Sequence, residues 1–395
     1  MPIATLLYLS DGKLPSPMAD SIQIAKMSQA FGQQLGSFEL ITSGDWRSLF
    51  SAQPDRRFAA WYGLQHPCTI TRLPILWRLP EVFDPWAYAP RGYIKAALLY
   101  CAWRKFWARL RRSNFVIYTR TPFLVPLLLK QNQRVVLEFH EPLEPPQFDP
   151  RWFAHPQFLG LVTLATELAE GYQAQGLPPE QVCLAPSAAE ISAFLPEQHQ
   201  DAARQQLGLP SDRPILAYAG QLYDYKGIPL MLDLAAALPD FELLLIGGAM
   251  EDIETVRSRC RERNLTNVRL VGHVSQQALP GYLYAADILL LPTSKQWELA
   301  STTSPLKLFD YMAVRRPIVA ADLPNVATVL RDGVNGRLAE ADNVAAFRGA
   351  IADLLANPAE AQRFAQQAYA DVQKRTWGDR ARHILQFIEG RLVEG

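Results

Sequence analysis

A lysine and the start of a predicted helix in the second half of the chain have the residue types and spacing to hold an anion. Lys226 lies in GQLYDYKG (220–227), which follows a predicted buried strand and precedes a predicted helix at 228–238. The lysine could reach a phosphate there, and the unpaired N–H groups at the helix start would strengthen the attraction. The alternative interpretation is a solvated lysine in a surface turn.

The segment TTSPLKLFDYMA offers a second group of ligands for the same anion. Ser304 is a predicted N-cap and Pro305 a predicted first helical residue, because proline suits that position. The N–H groups of Leu306 and Lys307 would then lack intrahelical partners. Asp310 follows about one turn later, and its carboxylate could accept two hydroxyls of a ribose beside a diphosphate. The alternative is an amphipathic helix with an ordinary exposed acid.

Polar residues also cluster at a strand end in the first half of the chain. Glu138 and His140 lie in LEFHEP, where a predicted buried strand ends, and parallel sheets place their chemistry at such ends. A single histidine is nevertheless more often structural. The segment KLPSPMADSIQ contributes Ser16 as a predicted helix cap, Pro17 as the predicted first helical residue and Asp20 in the following turn. An ordinary helix start is the plainer explanation for Asp20.

A framework of parallel strands covered by helices must position these residues. Short apolar runs alternate with helix-period segments along the whole chain, which is typical of α/β folds with strands buried on both faces. The predicted strands are 3–9, 38–42, 114–119, 134–139, 160–165 and 181–185 in the first half, and 214–220, 241–248, 268–272, 287–293 and 317–321 in the second.

A polar, proline-punctuated segment between the two halves indicates a domain boundary. We predict an N-terminal domain at 1–190, a linker at 191–213 and a C-terminal domain at 214–376. Both domains are predicted to be Rossmann-like, doubly wound parallel sheets. Ligands of such sheets bind beyond the carboxyl ends of the strands, so we expect the two domains to face each other across a ligand-binding cleft.

Composition and charge restrict the function classes. The 395 residues carry 39 Lys plus Arg and 39 Asp plus Glu, and this balance argues against a dedicated nucleic-acid binder. No run approaches the length of a membrane-spanning helix, and MPIATLLYLSDG has the pattern of a buried strand rather than a signal peptide. The four cysteines form no C-x-x-C pair, so no zinc site is suggested. We expect a cytoplasmic protein.

The segment 91–112, RGYIKAALLYCAWRKFWARLRR, is predicted to form a helix with an aromatic and a basic face. Such a helix can lie in the surface of an anionic membrane, which would make the protein peripheral at the inner membrane face. We prefer the interpretation in which the aromatic face docks on the protein's own sheet and the cations lie in water. The predicted aromatic face comprises Leu99, Tyr100, Trp103, Phe106, Trp107 and Leu110, and the basic face Lys95, Lys105, Arg109 and Arg112.

The order of motifs over 214–345 closely resembles the donor domain of family 4 glycosyltransferases. These are retaining enzymes with two Rossmann-like domains, the GT-B type. The motifs are AYAGQLYDYKG, LLLIGG, NVRLVGHVSQQALPGYLYAADILLLPTS and SPLKLFDYMAVRRPIVAADLP. Segments 14–31 and 164–188 are similar to the acceptor domain of the family. TWGDRARHIL resembles its last helix, so residues from about 377 to 395 are expected to return to the first domain.

The resemblance implies a nucleotide-diphosphate sugar as the donor substrate and no cofactor. Lys226 would bind the diphosphate, in a loop that begins with Gly220 and Gln221. The N–H groups of the loop Ser304-Pro305-Leu306-Lys307 would cradle the diphosphate, Asp310 would hold the ribose, and Gly272 and His273 would lie near the base.

The resemblance also gives the strand-end histidine a role. A histidine at such a place in the family contacts the donor sugar or the acceptor, so we predict that His140 is catalytic together with Lys226. Ser16, Asp20 and Glu138 are the other predicted acceptor-side residues. The donor nucleotide could be UDP, GDP or ADP. The chain has no D-x-D triplet, so this interpretation does not require a bound divalent metal.

Two departures from the family pattern leave a second interpretation open. Gln221 stands where the family usually has arginine, and Thr302 stands where it often has a glutamate. We predict a retaining enzyme that transfers a hexose to a hydroxyl of a glycan, a lipid or a small molecule. The alternative is a catalytically silent subunit of the same fold that binds sugar nucleotides. A nucleotide-sugar epimerase or a phosphorylase would need carboxylates or a second phosphate site that the sequence does not suggest.

Overall fold

The computed structural model describes residues 3–12, 14–16, 18–44, 53–74, 85–110, 115–144 and 149–394. The chain divides into two compact units. The first comprises Met1–Pro186 together with Trp377–Gly395, and the second comprises Ser187–Thr376.

The first unit is built on an eight-stranded sheet in the order β3-β4-β2-β1-β5-β6-β7-β8. All pairs are parallel except β3 with β4, which is antiparallel. The central strands are predominantly apolar, as expected of a sheet with helices on both faces. The strands are β1 (Thr5–Leu9), β2 (Phe38–Gly44), β3 (Gln53–Pro54), β4 (Thr69–Pro74), β5 (Phe115–Thr119), β6 (Val135–Glu138), β7 (Phe158–Thr163) and β8 (Val182–Leu184).

The described part of the first unit contains five α-helices before the second unit begins. Leu124, Val125 and Leu128 pack into the apolar core formed with Leu7 and Ile117 of the sheet. The helices are α1 (Ala19–Gln34), α2 (Arg56–Trp61), α3 (Pro85–Leu110), α4 (Val125–Lys130) and α5 (Thr166–Ala174).

The second unit holds a six-stranded, fully parallel sheet in the order β11-β10-β9-β12-β13-β14. The chain order reverses between β9 and β12, which makes this the topological switch point of a doubly wound sheet. The strands are β9 (Ile215–Ala219), β10 (Glu242–Ile246), β11 (Val268–Gly272), β12 (Ile288–Leu291), β13 (Ile318–Ala321) and β14 (Arg337–Ala339). The helices are α6 (Gln200–Leu207), α7 (Ile228–Ala237), α8 (Met250–Glu262), α9 (Leu279–Ala285), α10 (Leu306–Ala313), α11 (Pro324–Ala327), α12 (Val344–Ala356) and α13 (Pro358–Val372).

Residues 191–213, predicted as a linker, are instead folded into the second unit. They include α6, which packs against α9. The buried guanidinium of Arg204 explains the docking, because its Nη2 lies 2.5 Å from Asp287 Oδ2 and its Nε donates to the Ala285 carbonyl at 2.9 Å. The segment 191–213 is polar in sequence, yet the buried and paired guanidinium of Arg204 docks it onto the second unit.

The last helix, α14 (Trp377–Glu394), belongs to the first unit and packs against α1 and β7. Its Arg380 reaches the end of β6, where Nη2 lies 2.7 Å from Glu138 Oε1. Both side chains are buried, so each charge serves as the counterion of the other within the first unit.

The predicted docking of α3 by its aromatic face holds for Tyr100 and is wrong for the other described members of that face. The helix contacts β4, and the buried residues of its described part are Ala97, Tyr100 and Cys101. Leu99, Trp103, Phe106 and Trp107 are exposed, at 73%, 53%, 57% and 42% respectively. The side chains at positions 95, 109, 110 and 112 lie outside the described residues.

A buried carboxylate explains why α3 turns its aromatic face outward. Glu39 in β2 accepts hydrogen bonds from the hydroxyls of Tyr100 and Thr71 and pairs with Arg104. A buried carboxylate needs such partners, and this need fixes which side of α3 faces the sheet. Lys105, predicted to lie in water, also turns inward and donates to the carbonyls of Gln131 and Asn132.

Candidate functional site

The loops after β9 and β12 lie at the switch point of the second sheet. The loop after β9 contains Gly220 and Lys226, and the loop after β12 leads to α10. Their backbones approach closely, since a Cβ added at Gly227 (φ +89°) would lie 2.0 Å from the Pro292 carbonyl oxygen. Only glycine allows this contact, and it brings the start of α7 against the end of β12.

The ammonium group of Lys226 is held by aromatic rings. Its Nζ lies 3.9 Å from the ring centroid of Trp297 and 5.0 Å from that of Tyr225, and these two rings stack at 4.7 Å. Burial lowers the pKa of Lys226 to about 8. Within the described part of the chain it forms no ion pair with a carboxylate. The aromatic faces stabilise the cation without neutralising it, which leaves it available to an anionic ligand.

A second lysine lies beside the same loop. Lys307 Nζ donates to the Tyr218 hydroxyl at 2.6 Å, and that hydroxyl donates to the Gln221 carbonyl at 2.9 Å. A Cβ added at Gly220 would lie 2.4 Å from this Nζ. Burial and then the charge of Lys226 hold the pKa of Lys307 well below its usual value. The two cations therefore repel each other, and an anion bound beside them would stabilise both charged forms.

Helix α10 begins one residue later than predicted. Leu306 is its first residue and Pro305 occupies the N-cap position, so the prediction that Ser304 caps the helix is wrong. The Ser304 hydroxyl instead accepts the N–H of Ser187 at 3.0 Å. In the described structure the N–H groups of Leu306 and Lys307 have no hydrogen-bond acceptor, as predicted from the helix start.

The other predicted donor-binding residues lie at the same edge of the sheet. Asp310 is half-buried on α10, one turn after Leu306, and Gln221 is half-buried next to Gly220. Gly272 ends β11, where its carbonyl accepts the N–H of Gly247 at 2.7 Å, and His273 beyond it is exposed. The base site predicted at Gly272 and His273 is thus open to solvent and lies two strands away from β9.

In the first unit, Glu138 and His140 belong to a buried ion network. The Glu138 carboxylate accepts from Tyr118 at 2.6 Å and from Arg380 at 2.7 Å, and it lies 2.8 Å from His140 Nε2. Arg120 Nη2 lies 2.8 Å from His140 Nδ1. Arginine can only donate, so Nδ1 accepts and Nε2–H donates to the carboxylate. The histidine is therefore neutral, in one tautomer, with both ring nitrogens occupied.

This arrangement does not favour His140 as a general base. Burial, followed by the charge of Arg120, lowers the pKa of His140 to about 4. The charge of Arg380 and the hydrogen bond from His140 hold the pKa of Glu138 well below its usual range despite burial, so the carboxylate stays ionised. The 15% of the His140 side chain that is exposed could contact a ligand through a ring edge, but neither nitrogen is free to take a proton.

Acidification should destabilise the first unit through His140. The folded pKa of about 4 lies below the ordinary 6.5, so the unfolded chain binds more protons between these two values. The free energy of unfolding should fall as pH drops through this window, by on the order of 3 kcal/mol. Chemical denaturation across this pH range measures the fall, and in His140→Gln it should be smaller. An equally steep fall in the variant would contradict the assignment.

Arg120 also connects the two predicted acceptor-side segments. Its Nη1 donates to the Asp20 carbonyl at 3.2 Å, so the exposed first turn of α1 and His140 share one guanidinium. The predicted cap at Ser16 is wrong, because α1 begins at Ala19 with Met18 as the N-cap residue. Ser16 instead donates its N–H to the Tyr62 hydroxyl at 2.7 Å. Pro17, the predicted first helical residue, lies outside the described residues.

Several residues of these two sites were missed by the sequence analysis. Arg120 directly follows β5, and the rule that singled out His140 at the end of β6 would also have found it. The strand-end rule does not single out Trp297, Tyr218 or Arg380, because their roles depend on partners far away in the sequence.

Sequence comparisons relate part of the chain to known transferases. Residues 199–371 match the family model described as glycosyl transferases group 1. The chain is 26% identical over 224 residues to the D-inositol 3-phosphate glycosyltransferase of Xylanimonas cellulosilytica, covering 53% of this chain and 51% of that relative. It is 26% identical over 250 residues to the phosphatidyl-myo-inositol mannosyltransferase of Mycobacterium leprae, covering 61% and 62%. The chain thus spans about half the length of the first of these curated relatives.

Solved structures share the fold over nearly the whole chain. Anabaena Alr3699/HepE in complex with UDP and glucose superimposes with a TM-score of 0.72 and 14% identity, covering 98% of this chain and 100% of that one. Sucrose-phosphate synthase from Thermosynechococcus elongatus gives a TM-score of 0.72 and 19% identity, covering 99% and 100%. Among the described residues no helix has the length and apolarity needed to span a bilayer. The predicted fold class is confirmed as two parallel-sheet, Rossmann-like α/β units with GT-B glycosyltransferases as structural neighbours, and residues 199–371 are similar to glycosyl transferases group 1.

Proposed function

We propose that the protein is a retaining glycosyltransferase of family 4 that transfers a hexose from a nucleotide-diphosphate sugar to an acceptor hydroxyl. One observation carries the proposal. Lys226 and Lys307 lie without carboxylate partners, in the described structure, at the switch point where α10 presents its free N–H groups. The named activities of the related proteins and the UDP bound by Alr3699/HepE support the same substrate class.

The chemistry follows from where charge develops during transfer. When the diphosphate departs, negative charge grows on its oxygens, and Lys226, Lys307 and the N–H groups of Leu306 and Lys307 would stabilise it. Asp310 would accept the ribose hydroxyls. Both nitrogens of His140 are engaged, which favours a reaction in which the leaving phosphate takes the acceptor proton. The roles proposed for Gly272 and His273 are contacts with the base.

A donor screen tests the proposal directly. Thermal-shift measurements with UDP-, GDP- and ADP-sugars should show stabilisation by one nucleotide, and we expect UDP first because of the complex of Alr3699/HepE. Product formed from a pool of glycans, lipids and small-molecule hydroxyls is then identified by mass spectrometry. The anomeric configuration of the new bond, read by NMR, should be that of the donor. Inversion would refute the retaining mechanism, and failure to bind any nucleotide sugar would refute the proposal as a whole.

A catalytically silent subunit remains the second candidate. Gln221 is neutral and Thr302 cannot act as a carboxylate, so two groups that the family usually supplies are absent from this chain. The two candidates differ in one measurement. A silent subunit would bind the donor but neither transfer nor hydrolyse its sugar in the presence of the same acceptor pool.

Loss of the second lysine should weaken donor binding. Lys307→Met removes one charged hydrogen-bond donor, so the dissociation constant of the donor nucleotide should rise by about 10- to 100-fold. Tyr218→Phe, which removes the hydroxyl that holds Lys307, should have a smaller effect in the same direction. Isothermal titration calorimetry measures both. Unchanged affinity in Lys307→Met would exclude the lysine from the site.

A further inference from the structure

Helix α3 carries an exposed apolar stripe on one face. Leu99, Trp103, Phe106 and Trp107 follow the i, i+4, i+7, i+8 spacing that places side chains on one side of a helix. All four are exposed, although residues of this size are usually buried. We call these four residues the α3 stripe. A soluble protein rarely displays such a cluster without a binding partner.

The stripe faces outward because the opposite side of α3 is fixed. Tyr100 and Arg104 bind Glu39, and Lys105 donates to two backbone carbonyls in the turn after α4. Ala97 and Cys101 are fully buried in the core of the first unit. The helix cannot rotate to bury the stripe without breaking the pairs that satisfy the buried Glu39 carboxylate. The exposed face is thus a permanent feature of the first unit.

The sequence of the helix points to the partner of the stripe. Segment 91–112 contains no acidic residue, and besides Arg104 and Lys105, which are paired within the first unit, it carries Arg91, Lys95, Arg109, Arg111 and Arg112. Docking two copies of this segment face to face would bring like charges together, whereas anionic headgroups would complement them. Tryptophan also suits the boundary between headgroups and acyl chains, because its ring is apolar while its N–H can hydrogen-bond, and phenylalanine and leucine add apolar surface that the acyl chains can bury.

We propose that the α3 stripe docks the protein onto the surface of an anionic phospholipid bilayer. The helix lies in the plane of the interface, with the aromatic rings of the stripe among the headgroups, and the basic residues of segment 91–112 add attraction to lipid phosphates. Binding has two components, burial of apolar surface and attraction to anionic lipid, so it depends on both the stripe and the ionic strength. This inference does not depend on the proposed transfer reaction.

Co-sedimentation of the full chain with lipid vesicles tests the proposal. The protein should pellet with vesicles of phosphatidylcholine and phosphatidylglycerol, much less with phosphatidylcholine alone, and less as salt is raised. Trp103→Ser combined with Phe106→Ser should weaken binding at least about tenfold. These side chains are exposed, so the variant should fold, and an unchanged melting temperature verifies that it has.

A matched pair of single substitutions controls for exposed apolar surface in general. Leu99 on the stripe and Met250 in the second unit are both 73% exposed. Leu99→Ser should weaken vesicle binding and Met250→Ser should not. The proposal is overturned if the wild-type protein does not bind anionic vesicles, or if the double variant binds them as well as the wild-type protein does. It is also overturned if light scattering shows a dimer that the double variant loses, because a second copy would then occupy the stripe.

Discussion

Replacing Lys226 by alanine should lower turnover about 10²- to 10³-fold, the usual cost of removing one donor to a developing oxyanion. Its Nζ lies over Trp297 and pairs with no carboxylate in the described structure, so the folded protein should lose little stability. Steady-state rates with the donor found in the screen, together with a melting curve, measure both quantities.

A neighbouring lysine provides the control for this experiment. Lys295 follows β12 as Trp297 does, but its side chain is 56% exposed and its Nζ lies 3.9 Å from Glu340. Lys295→Ala should therefore leave turnover unchanged. If Lys226→Ala reacted at the wild-type rate, the lysine would have no part in the chemistry, even if nucleotide binding were confirmed.

Replacing Glu138 by alanine should cost about 3–5 kcal/mol of unfolding free energy, because it leaves Arg380 as a buried charge without a counterion. The hydroxyl of Tyr118 and Nε2 of His140 would lose their acceptor as well. Denaturation in urea, followed by one probe in each unit, should show an earlier transition for the first unit and an unchanged one for the second.

An exposed ion pair on the same helix shows what a merely local charge contributes. Asp379 pairs with Arg382 at 2.7 Å on the surface of α14, and such pairs contribute at most about 1 kcal/mol. Arg382→Ala, which removes the 59% exposed partner, should therefore be nearly neutral. Equal effects of Glu138→Ala and Arg382→Ala would mean that the buried network has no special structural role.

The strands of the switch point are the part of the fold that local sequence determines most fully. β9 and β12 are unbroken apolar runs, and β10 is apolar after Glu242, as expected of strands covered on both faces. β4 was missed because its sequence TITRLP alternates polar and apolar residues and ends in proline. Its place in the sheet comes from pairing with β2, which a local pattern does not reveal.

Side chains whose orientation depends on distant partners could not be predicted. The aromatic face of α3 has the stronger apolar pattern, but a carboxylate at Glu39, far away in the sequence, decides which face is buried. Ser304 has the residue type of a helix cap, but its hydroxyl accepts a hydrogen bond from the N–H of Ser187 instead. The hydrogen bond between Lys307 in α10 and Tyr218 in β9 likewise depends on residues far apart in the sequence. Sequence spacing predicts which residues have a suitable type for a role, but tertiary contacts determine which role each residue has.

The position of α14 has a consequence for synthesis on the ribosome. The first unit needs Arg380 to neutralise Glu138, yet this arginine emerges only after every residue of the second unit has been translated. Until then the nascent chain holds an uncompensated carboxylate and an uncovered surface where α1 and β7 await the last helix. The second unit should therefore reach its native state before the first. A stalled chain that ends at residue 376 and is followed by a linker long enough to fill the exit tunnel should display a protease-resistant second unit beside a cleavable first one.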